Sequence, residues 1–219
     1  MLSIETLNIE EKNNLIIYNL NYPLIRSGQY DGNIIDYINE VIYQDIVAFK
    51  DVAGNEIESL MSRGNYLSYI NTEYSIDLNK NNILSLTVQF SQLAGLYNIT
   101  YANSYNYDIE IGKKIKLNDI FKPNINYLDM INLNIKKELE NRRELFEDIF
   151  EEFKLEDYLD KLSISNNQNF YIQNDGIVIC FSSYELDPNV SELVEFKILF
   201  DDCRDYLSKY TVEQIIEYL

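Results

Sequence analysis

The sequence contains no histidine among its 219 residues, and it has only seven glycines and three prolines. The absence of histidine excludes Ser-His-Asp and Cys-His catalytic groups, imidazole general bases, and zinc or iron sites with histidine ligands. There is also no GxxxxGK[ST] or GxGxxG loop, so the chain lacks the glycine-rich turns that bind phosphates in nucleotide-binding proteins. These absences favour a binding or sensing module over an enzyme, and they predict no cofactor.

Basic residues are scarce as well, because 18 lysines and arginines stand against 36 acidic residues, a formal net charge of −18 at pH 7. Nucleic-acid binding draws much of its affinity from lysine and arginine contacts with phosphates, so nucleic acid and anionic membranes are poor partners. A basic protein would instead be steered towards this surface. The alternative interpretation is that the charge serves solubility alone.

Only two cysteines are present, and they show no CxxC or metal-like spacing. Cys180 lies in the apolar run Ile177–Phe181, which predicts a small buried side chain rather than a reactive thiol. A disulfide between Cys180 and Cys203 is left open, because pairing cannot be deduced from sequence.

The first residues, MLSIETLNIEEKNN, carry acids where a secretion signal needs a basic segment. No run approaches the roughly 20 apolar residues that cross a membrane. We therefore expect no membrane span and, if the sequence is full length, a cytoplasmic protein. The compartment is otherwise left open.

The first half of the chain has the pattern of an antiparallel sheet packed on one helix. β-Branched and aromatic runs that alternate with polar residues predict strands, and apolar residues at three- and four-residue steps predict the helix. The predicted elements are a strand at Leu15–Ile25, a helix from about Asp31 to Val52 that resumes beyond Gly54, a hairpin of Tyr66–Leu78 and Ile83–Phe90, and a third strand at Tyr97–Ile111.

The second half mixes helices and strands in the same way. The predicted elements are a turn at Asn118–Pro123, helices at Asn126–Arg142 and Glu144–Leu159, a hairpin of Phe170–Ile172 and Ile177–Phe181 with an Asx-Gly turn, a strand at Val194–Phe200, and short helices at Asp201–Leu207 and Thr211–Leu219 with Thr211 as N-cap. We therefore predict an α+β fold of antiparallel sheets against helices, in two related halves at 1–115 and 116–219.

Carboxylate chemistry is the main enzymatic route that remains without histidine, because a glycosidase needs two acids about 5–10 Å apart. The segment Tyr184–Asn189 brings Glu185 and Asp187 together with aromatic and turn residues. The alternative interpretation of this segment is a surface loop closed by Asx-turn hydrogen bonds. No calcium-binding D-x-[DN]-x-[DN]-G loop is present, so no metal is predicted.

Two segments carry a family resemblance. Tyr105–Phe121, YNYDIEIGKKIKLNDIF, and Phe170–Phe181, FYIQNDGIVICF, followed by Tyr184, Glu185 and Pro188, resemble the RsiV/PdaC-like domain family. This domain is shared by lysozyme-sensing anti-sigma factors and by the non-catalytic part of peptidoglycan deacetylases. The resemblance extends over nearly the whole chain and implies an α+β domain that binds a basic protein or belongs to a cell-wall protein.

One loop departs from the family. Relatives often carry Gly-Gly-Ala-His-Gly after the central strand, where this chain has Leu93–Asn98, LAGLYN. We predict that this loop and the Tyr184–Asn189 loop bind a basic protein such as lysozyme, or a cell-wall saccharide. The predicted ligand-binding residues are Leu93, Gly95, Tyr97, Tyr184, Glu185 and Asp187. A carboxylate-dependent glycan hydrolase and a structural or oligomerising protein are the alternatives.

Overall fold

A computed structural model describes residues 1–26, 32–60, 67–95, 97–141, 164–183, 185 and 192–216. The chain divides into two units, Met1–Lys114 and Ile115–Leu219. In the described residues nine strands form two sheets, which are accompanied by helices in both units. The predicted α+β class, with antiparallel pairing and helices, is therefore confirmed. The predicted acidic helix Glu144–Leu159 lies outside the described residues.

The first unit is a six-stranded sheet covered on one face by a long helix. Its elements are β1 (Ser3–Lys12), β2 (Ile16–Arg26), α1 (Gly32–Leu60), β3 (Ser68–Lys80), β4 (Ile83–Ala94), β5 (Tyr97–Asp108) and β6 (Lys113–Lys114), and the strands lie in that order across the sheet. Because successive strand residues point to opposite faces, every second residue of β4 meets the helix. Leu84, Leu86, Val88 and Phe90 are fully buried in this way.

Two features of this sheet were not predicted. β2 pairs with β3 in parallel, from Ile16 opposite Ser68 to Leu20 opposite Thr72, so the expectation of a wholly antiparallel sheet is wrong. The reason is that α1 lies between these strands, and a helical crossover returns the chain in the same direction. β1 pairs with β2 along its whole length, but its mostly exposed side chains hide the alternation that marks a half-buried strand.

The parallel pairing ends at Leu20, and side chains satisfy the backbone of β2 beyond that point. Asn39 on α1 accepts a hydrogen bond from the Ile25 N–H (2.8 Å) and donates one to the Ile25 carbonyl (2.9 Å). The Thr72 hydroxyl donates to the Asn21 carbonyl (2.8 Å). Unpaired backbone groups in a protein interior cost free energy, so these contacts stabilise a strand edge that has no neighbouring strand.

The helix α1 runs through Gly54 without a break, contrary to the predicted interruption. The Tyr18 side chain packs against Gly54, where a Cβ atom would lie 2.6 Å from its hydroxyl, so a larger residue at this position would displace the end of that side chain. The β3–β4 turn was predicted correctly. Its residues Asn81 and Asn82 have φ of 52° and 65°, the left-handed backbone that asparagine tolerates in a two-residue hairpin.

The second unit contains a three-stranded antiparallel sheet. Its elements are α2 (Leu117–Ile120), α3 (Tyr127–Asn141), β7 (Phe170–Gln173), β8 (Gly176–Phe181), β9 (Val194–Leu199), a 3-10 helix (Arg204–Tyr206) and a π-helical turn (Thr211–Ile216). The predicted β7–β8 hairpin is confirmed, but Gly176 is already paired with Gln173, so Asn174 and Asp175 form the turn. Gly176 is needed because a Cβ atom would lie 2.2 Å from the Ile198 carbonyl oxygen.

Two local predictions in this unit are wrong. The turn at Asn118–Pro123 begins instead as the short helix α2, whose Asp119 side chain accepts a hydrogen bond from the Lys116 N–H (2.9 Å). The cap of the last helix is Ser208, whose hydroxyl accepts the Thr211 N–H (3.1 Å), while the Thr211 hydroxyl donates to the Ile120 carbonyl (2.8 Å). The helix already begins at Lys209, so Thr211 lies in its first turn and Ser208 occupies the N-cap position.

The two cysteines are buried and form no disulfide. Burial raises the pKa of the Cys203 thiol to about 11, and the neighbouring Asp202 adds to this rise. The prediction of a buried Cys180 is therefore confirmed. Over the described stretches of the chain, every helix is too short or too polar to cross a membrane.

Candidate functional site

The predicted Leu93–Asn98 loop is a tight β-hairpin. β4 ends at Ala94 and β5 begins at Tyr97, and these two residues pair with each other. Gly95 has φ of +67°, a backbone conformation that glycine adopts at no steric cost. Leu93 is exposed, and the side chain of Tyr97 lies outside the described part of the structure. In its described part, the segment is therefore a turn that carries the exposed Leu93 side chain.

The second predicted loop is described only at Glu185, because Tyr184 and Asp187 lie outside the described residues. The two oxygens of the Glu185 carboxylate accept hydrogen bonds from the Ser182 N–H (2.7 Å) and from the Gln168 side chain (2.9 Å). Gln168 also donates to the Cys180 carbonyl (2.9 Å). In this structure, Glu185 closes a turn at the end of β8.

A cavity of about 320 Å³ lies between α1 and the ends of β4 and β5. Gln92 and Ile99 line it, and these two residues are opposite each other in the sheet and immediately flank the predicted loop. Leu93 belongs to the other face of the sheet, because neighbouring strand residues alternate. The described lining residues are Asp45, Ala48, Phe49, Val52, Ala53, Glu56, Gln92, Ile99, Tyr101 and Asn103.

Gln92 is the most informative residue of this cavity. Its side chain is only 3% exposed, and its Nε2 group has no hydrogen-bond partner. Among the buried side-chain nitrogen and oxygen atoms of the described residues, only Ser68 Oγ shares this condition. A buried donor without an acceptor costs about 1–3 kcal/mol, so such groups are rare in native proteins. An acceptor that enters the cavity with a ligand would remove this cost.

Asp45 supplies the carboxylate at the cavity wall. Its Oδ2 atom accepts hydrogen bonds from the Tyr105 hydroxyl (2.7 Å) and from the Asn103 side chain (3.2 Å). Burial, and then the hydrogen bond to Asp45, raise the pKa of Tyr105 well above its ordinary value. Tyr105 is therefore a neutral donor that holds the carboxylate in place at any physiological pH.

The apolar wall of the cavity is a cluster of aromatic rings. The Tyr101 ring stacks on Phe90, with ring centroids 4.8 Å apart and planes at 10°. Phe49 meets both rings edge-on, at 5.1 Å from Phe90 and 5.8 Å from Tyr101. Burial, followed by the charge of Asp45, raises the pKa of Tyr101 to about 12. This wall is rigid and neutral, and Val52 and Glu56 lie exposed in the same lining.

The cavity offers a specific set of interactions. Asp45 and Glu56 are the charged residues of its described lining, and both are acidic. A complementary ligand has a cationic or donor group for the carboxylates, an apolar stem for the rings, and an acceptor for Gln92. Within the described ranges, no group of three Cys, Asp or Glu residues is arranged to hold a metal ion.

The sequence pattern did not identify Gln92, Asp45 and Tyr101 as site residues. A signal for Gln92 was present, because it continues the inward series of β4, two residues after Phe90, where each earlier member is apolar. A polar residue at an inward position of a strand has to be satisfied or has a function. Asp45 carried no comparable signal, since acidic residues are common on helix α1.

Comparisons with known proteins support the fold and name one family. Residues 118–201 match the family described as "Protein of unknown function (DUF3298)". No curated protein matches the sequence. A DUF3298 family protein from Bacteroides fragilis is 18% identical, with a TM-score of 0.68, over 98% of this chain and 97% of its own. A DUF3298 family protein from Pseudomonas aeruginosa is 12% identical, with a TM-score of 0.62, over 95% of both chains.

At these identities the two structures establish the fold and nothing more. The chain has the fold of these DUF3298 proteins, and residues 118–201, in its second unit, are similar in sequence to that family.

Proposed function

We propose that this protein is a non-catalytic binding module of the RsiV/PdaC-like kind, which recognises a basic protein by taking one of its cationic side chains into the cavity between α1, β4 and β5. The observation that carries the proposal is the buried Nε2 group of Gln92, which has no hydrogen-bond partner, in a cavity whose charged lining residues are acidic. The net charge of −18 favours the same class of partner, because it steers a basic protein towards the surface.

The size and lining of the cavity suit a long basic side chain. A volume of about 320 Å³ is at the small end of ligand sites, large enough for one side chain and its backbone. A lysine or arginine stem would pack against Phe49 and Tyr101, and its charged head would reach Asp45 or Glu56. Aromatic rings add a cation–π attraction, worth about 0.5–2 kcal/mol. A carbonyl of the partner would accept the Gln92 hydrogen bond.

The family resemblance supports lysozyme as the first probe, since the anti-sigma factors of the RsiV/PdaC-like family bind that basic protein. The alternative of a carboxylate-dependent glycan hydrolase has less support from the described residues. Glu185 is exposed, but its carboxylate accepts two hydrogen bonds that close its own turn, and its predicted companion Asp187 lies outside the described residues, so no pair of carboxylates is in place to support this reaction there.

The proposal is tested by calorimetric titration of the whole protein with lysozyme. Asp45→Asn keeps an acceptor for Tyr105 but removes the charge, and we expect it to lower the affinity at least about tenfold. Gln92→Leu keeps the volume and removes the donor, with an expected loss of about fivefold or more. Asp51→Asn is the matched control, because it removes the same charge from an exposed position of α1 outside the cavity.

Three results would overturn the proposal. One is an absence of lysozyme binding, and another is lysozyme binding that Asp45→Asn and Asp51→Asn weaken equally, which would indicate general charge attraction. The third is binding of peptidoglycan fragments, and not of lysozyme, that is lost in Gln92→Leu; the cavity would then serve a saccharide.

A further inference from the structure

The face of the six-stranded sheet opposite α1 has its own depression, with chemistry unlike that of the cavity. It has a volume of about 380 Å³. The described lining residues are Asn19, Asn71, Thr72, Glu73, Gln89 and Ser91, from three adjacent strands. Glu73 is the charged member of this set, and Asn19, Asn71, Gln89 and Ser91 offer amides or a hydroxyl. Thr72 is buried and its hydroxyl donates to the Asn21 carbonyl, so it contributes only backbone to the lining. We propose that this face is a second binding site, whose ligand is a neutral, hydroxyl-rich molecule, a glycan.

The register of the strands arranges these side chains in rows. Asn71 of β3 lies between Asn19 of β2 and Ser91 of β4, and Glu73 lies opposite Gln89. Neighbouring strands are about 4.8 Å apart, so a row across three strands extends over about 10 Å. β3 and β4 are each paired on both sides, which fixes the backbone of the rows. A ligand would meet groups that are already in position, and this lowers the entropic cost of binding.

A further asparagine orients the amides at the β2 side of the depression. The Asn8 side chain on β1 donates to Asn19 Oδ1 (2.8 Å) and to Asn21 Oδ1 (2.6 Å). With these oxygens engaged, the amide nitrogen of Asn19 is the group left to donate outward. Hydroxyl groups both donate and accept, so they match a surface that combines amide donors with amide and carboxylate acceptors.

An apolar pair continues the same face towards the β4–β5 hairpin. Tyr69 and Leu93 are opposite each other on β3 and β4, two residues before Asn71 and two after Ser91. They are 39% and 41% exposed, although they belong to interior strands of the sheet. The tyrosine ring provides a packing surface for the apolar face of a sugar ring. The neighbouring row of amides provides hydrogen-bond partners for the hydroxyl groups of the same sugar.

The charge of this face excludes other classes of ligand. The described lining has no lysine or arginine, so it offers nothing to a phosphate. It has a single carboxylate, which is too few for a calcium or magnesium site. Asn19, Glu73 and Gln89 are exposed, so the depression is open to solvent. A neutral oligosaccharide is the ligand class that uses these groups.

The test uses the whole protein and three neutral oligosaccharide series: chito-, cello- and malto-oligosaccharides. Binding is measured by calorimetry and by amide chemical-shift changes in NMR spectra. We expect at least one series to bind and to shift the resonances of β3 and β4. Glu73→Gln and Tyr69→Ala should each lower its affinity about tenfold or more, because one removes a charge-assisted bond and the other the aromatic surface. Gln89→Ala should lower it less.

The matched control for Gln89→Ala is Gln44→Ala on α1, an exposed glutamine whose amide donates to Glu40 on the same helix, and it should leave glycan affinity unchanged. Glycan affinity should also change little as the salt concentration rises, because the ligand is neutral. Lysozyme affinity at the cavity should instead fall steeply as the salt concentration rises. The two proposals can therefore fail separately. The glycan proposal is overturned if no series binds at millimolar concentration, if binding is unaffected by Glu73→Gln and Tyr69→Ala, or if these variants instead abolish a self-association of the chain.

Discussion

The two faces of the six-stranded sheet differ in chemistry although the same strands build both. On the helix side, Leu86, Val88 and Phe90 are fully buried, whereas Glu73 and Gln89 on the opposite face are exposed. The two-residue period of a strand is enough to produce this separation. Sequence pattern therefore assigns each residue to a face before any contact is known.

Several residues depart from this pattern, Thr72 and Asn103 on the helix side among them, and three of the departures lie close together. Gln92 is a polar residue on the apolar face, and Tyr69 and Leu93 are apolar residues on the polar face. All three lie at the end of the sheet where β4 turns into β5. Local violations of pattern concentrate at functional sites, because function requires groups that folding alone would not place there. The two proposed sites are therefore neighbours that belong to opposite faces.

The largest expected effect is the loss of stability when a buried ring is removed from the helix side of the sheet. Phe90→Ala removes a fully buried ring that contacts Phe49 and Tyr101, and we expect the free energy of unfolding to fall by about 3–5 kcal/mol. Gln89→Ala, the adjacent residue on the exposed face, should change it by less than about 0.5 kcal/mol. Urea denaturation of both variants measures the contrast. Similar losses in the two variants would contradict the separation of the faces.

The next largest expected effect is an increase in stability rather than a loss. Gln92→Leu replaces an unsatisfied buried amide with an apolar side chain of similar size, so the free energy of unfolding should rise by about 1–3 kcal/mol. The same variant should bind lysozyme more weakly, which would identify Gln92 as a residue kept for binding at the expense of stability. A variant that is less stable than the wild type would show that the amide has a structural partner.

A smaller effect is expected from alkaline pH. The pKa of Tyr101 is raised to about 12 in the folded protein, while an unfolded tyrosine titrates near about 10. Folding therefore favours the neutral phenol, so this contribution to stability is complete below about pH 10 and is lost as the pH rises towards about 12. Unfolding measured by circular dichroism should become easier over this range.

Tyr101→Phe is the matched variant for the pH experiment, because it keeps the ring stacked on Phe90 and removes the titrating group. Its stability should decline less than that of the wild type between about pH 10 and pH 12. Identical pH profiles for the two proteins would show that Tyr101 titrates normally. Tyr105, Tyr107 and Cys203, whose pKa values are also raised, contribute to the decline that remains in the variant.

The smallest effect on stability is expected from a substitution on the polar face of the sheet. Asn8→Ala removes two hydrogen bonds between exposed amides, and the free energy of unfolding should fall by less than about 1 kcal/mol. The relative loss of glycan affinity should exceed the relative loss of stability, because Asn19 and Asn21 lose the contact that orients them. Asn55→Ala, an exposed asparagine on α1 outside this face, is the control for glycan affinity. Equal glycan affinities for wild type and Asn8→Ala would show that this orientation is unimportant.

Much of the fold was predictable because local chemistry specifies it. The apolar steps from Ile35 to Phe49 gave the helix α1, and alternation gave β2 to β5. The β7–β8 hairpin followed from the turn residues between two apolar runs. β1 escaped prediction because an edge strand with exposed residues on both faces lacks the pattern of burial.

The candidate sites were predicted only in part, for a physical reason. The sequence drew attention to Leu93–Asn98, and the cavity-lining residues Gln92 and Ile99 flank that hairpin. Gln92 and Tyr69 were not identified, since a missing partner or an exposed ring is a property of the assembled sheet. The predicted residues Tyr184 and Asp187 lie outside the described part of the structure.

The sequence by itself determined which chemistry is available: no histidine, a strong negative charge, and strands and a helix with defined apolar sides. Only the tertiary structure decided which groups meet. The parallel pairing of β2 with β3, the Asn39 bonds to Ile25, the Ser208 cap and the unpartnered amide of Gln92 all depend on segments that are distant along the chain. Hydrogen bonds act over about 3 Å, so a group's partner is decided by packing and not by its neighbours in sequence.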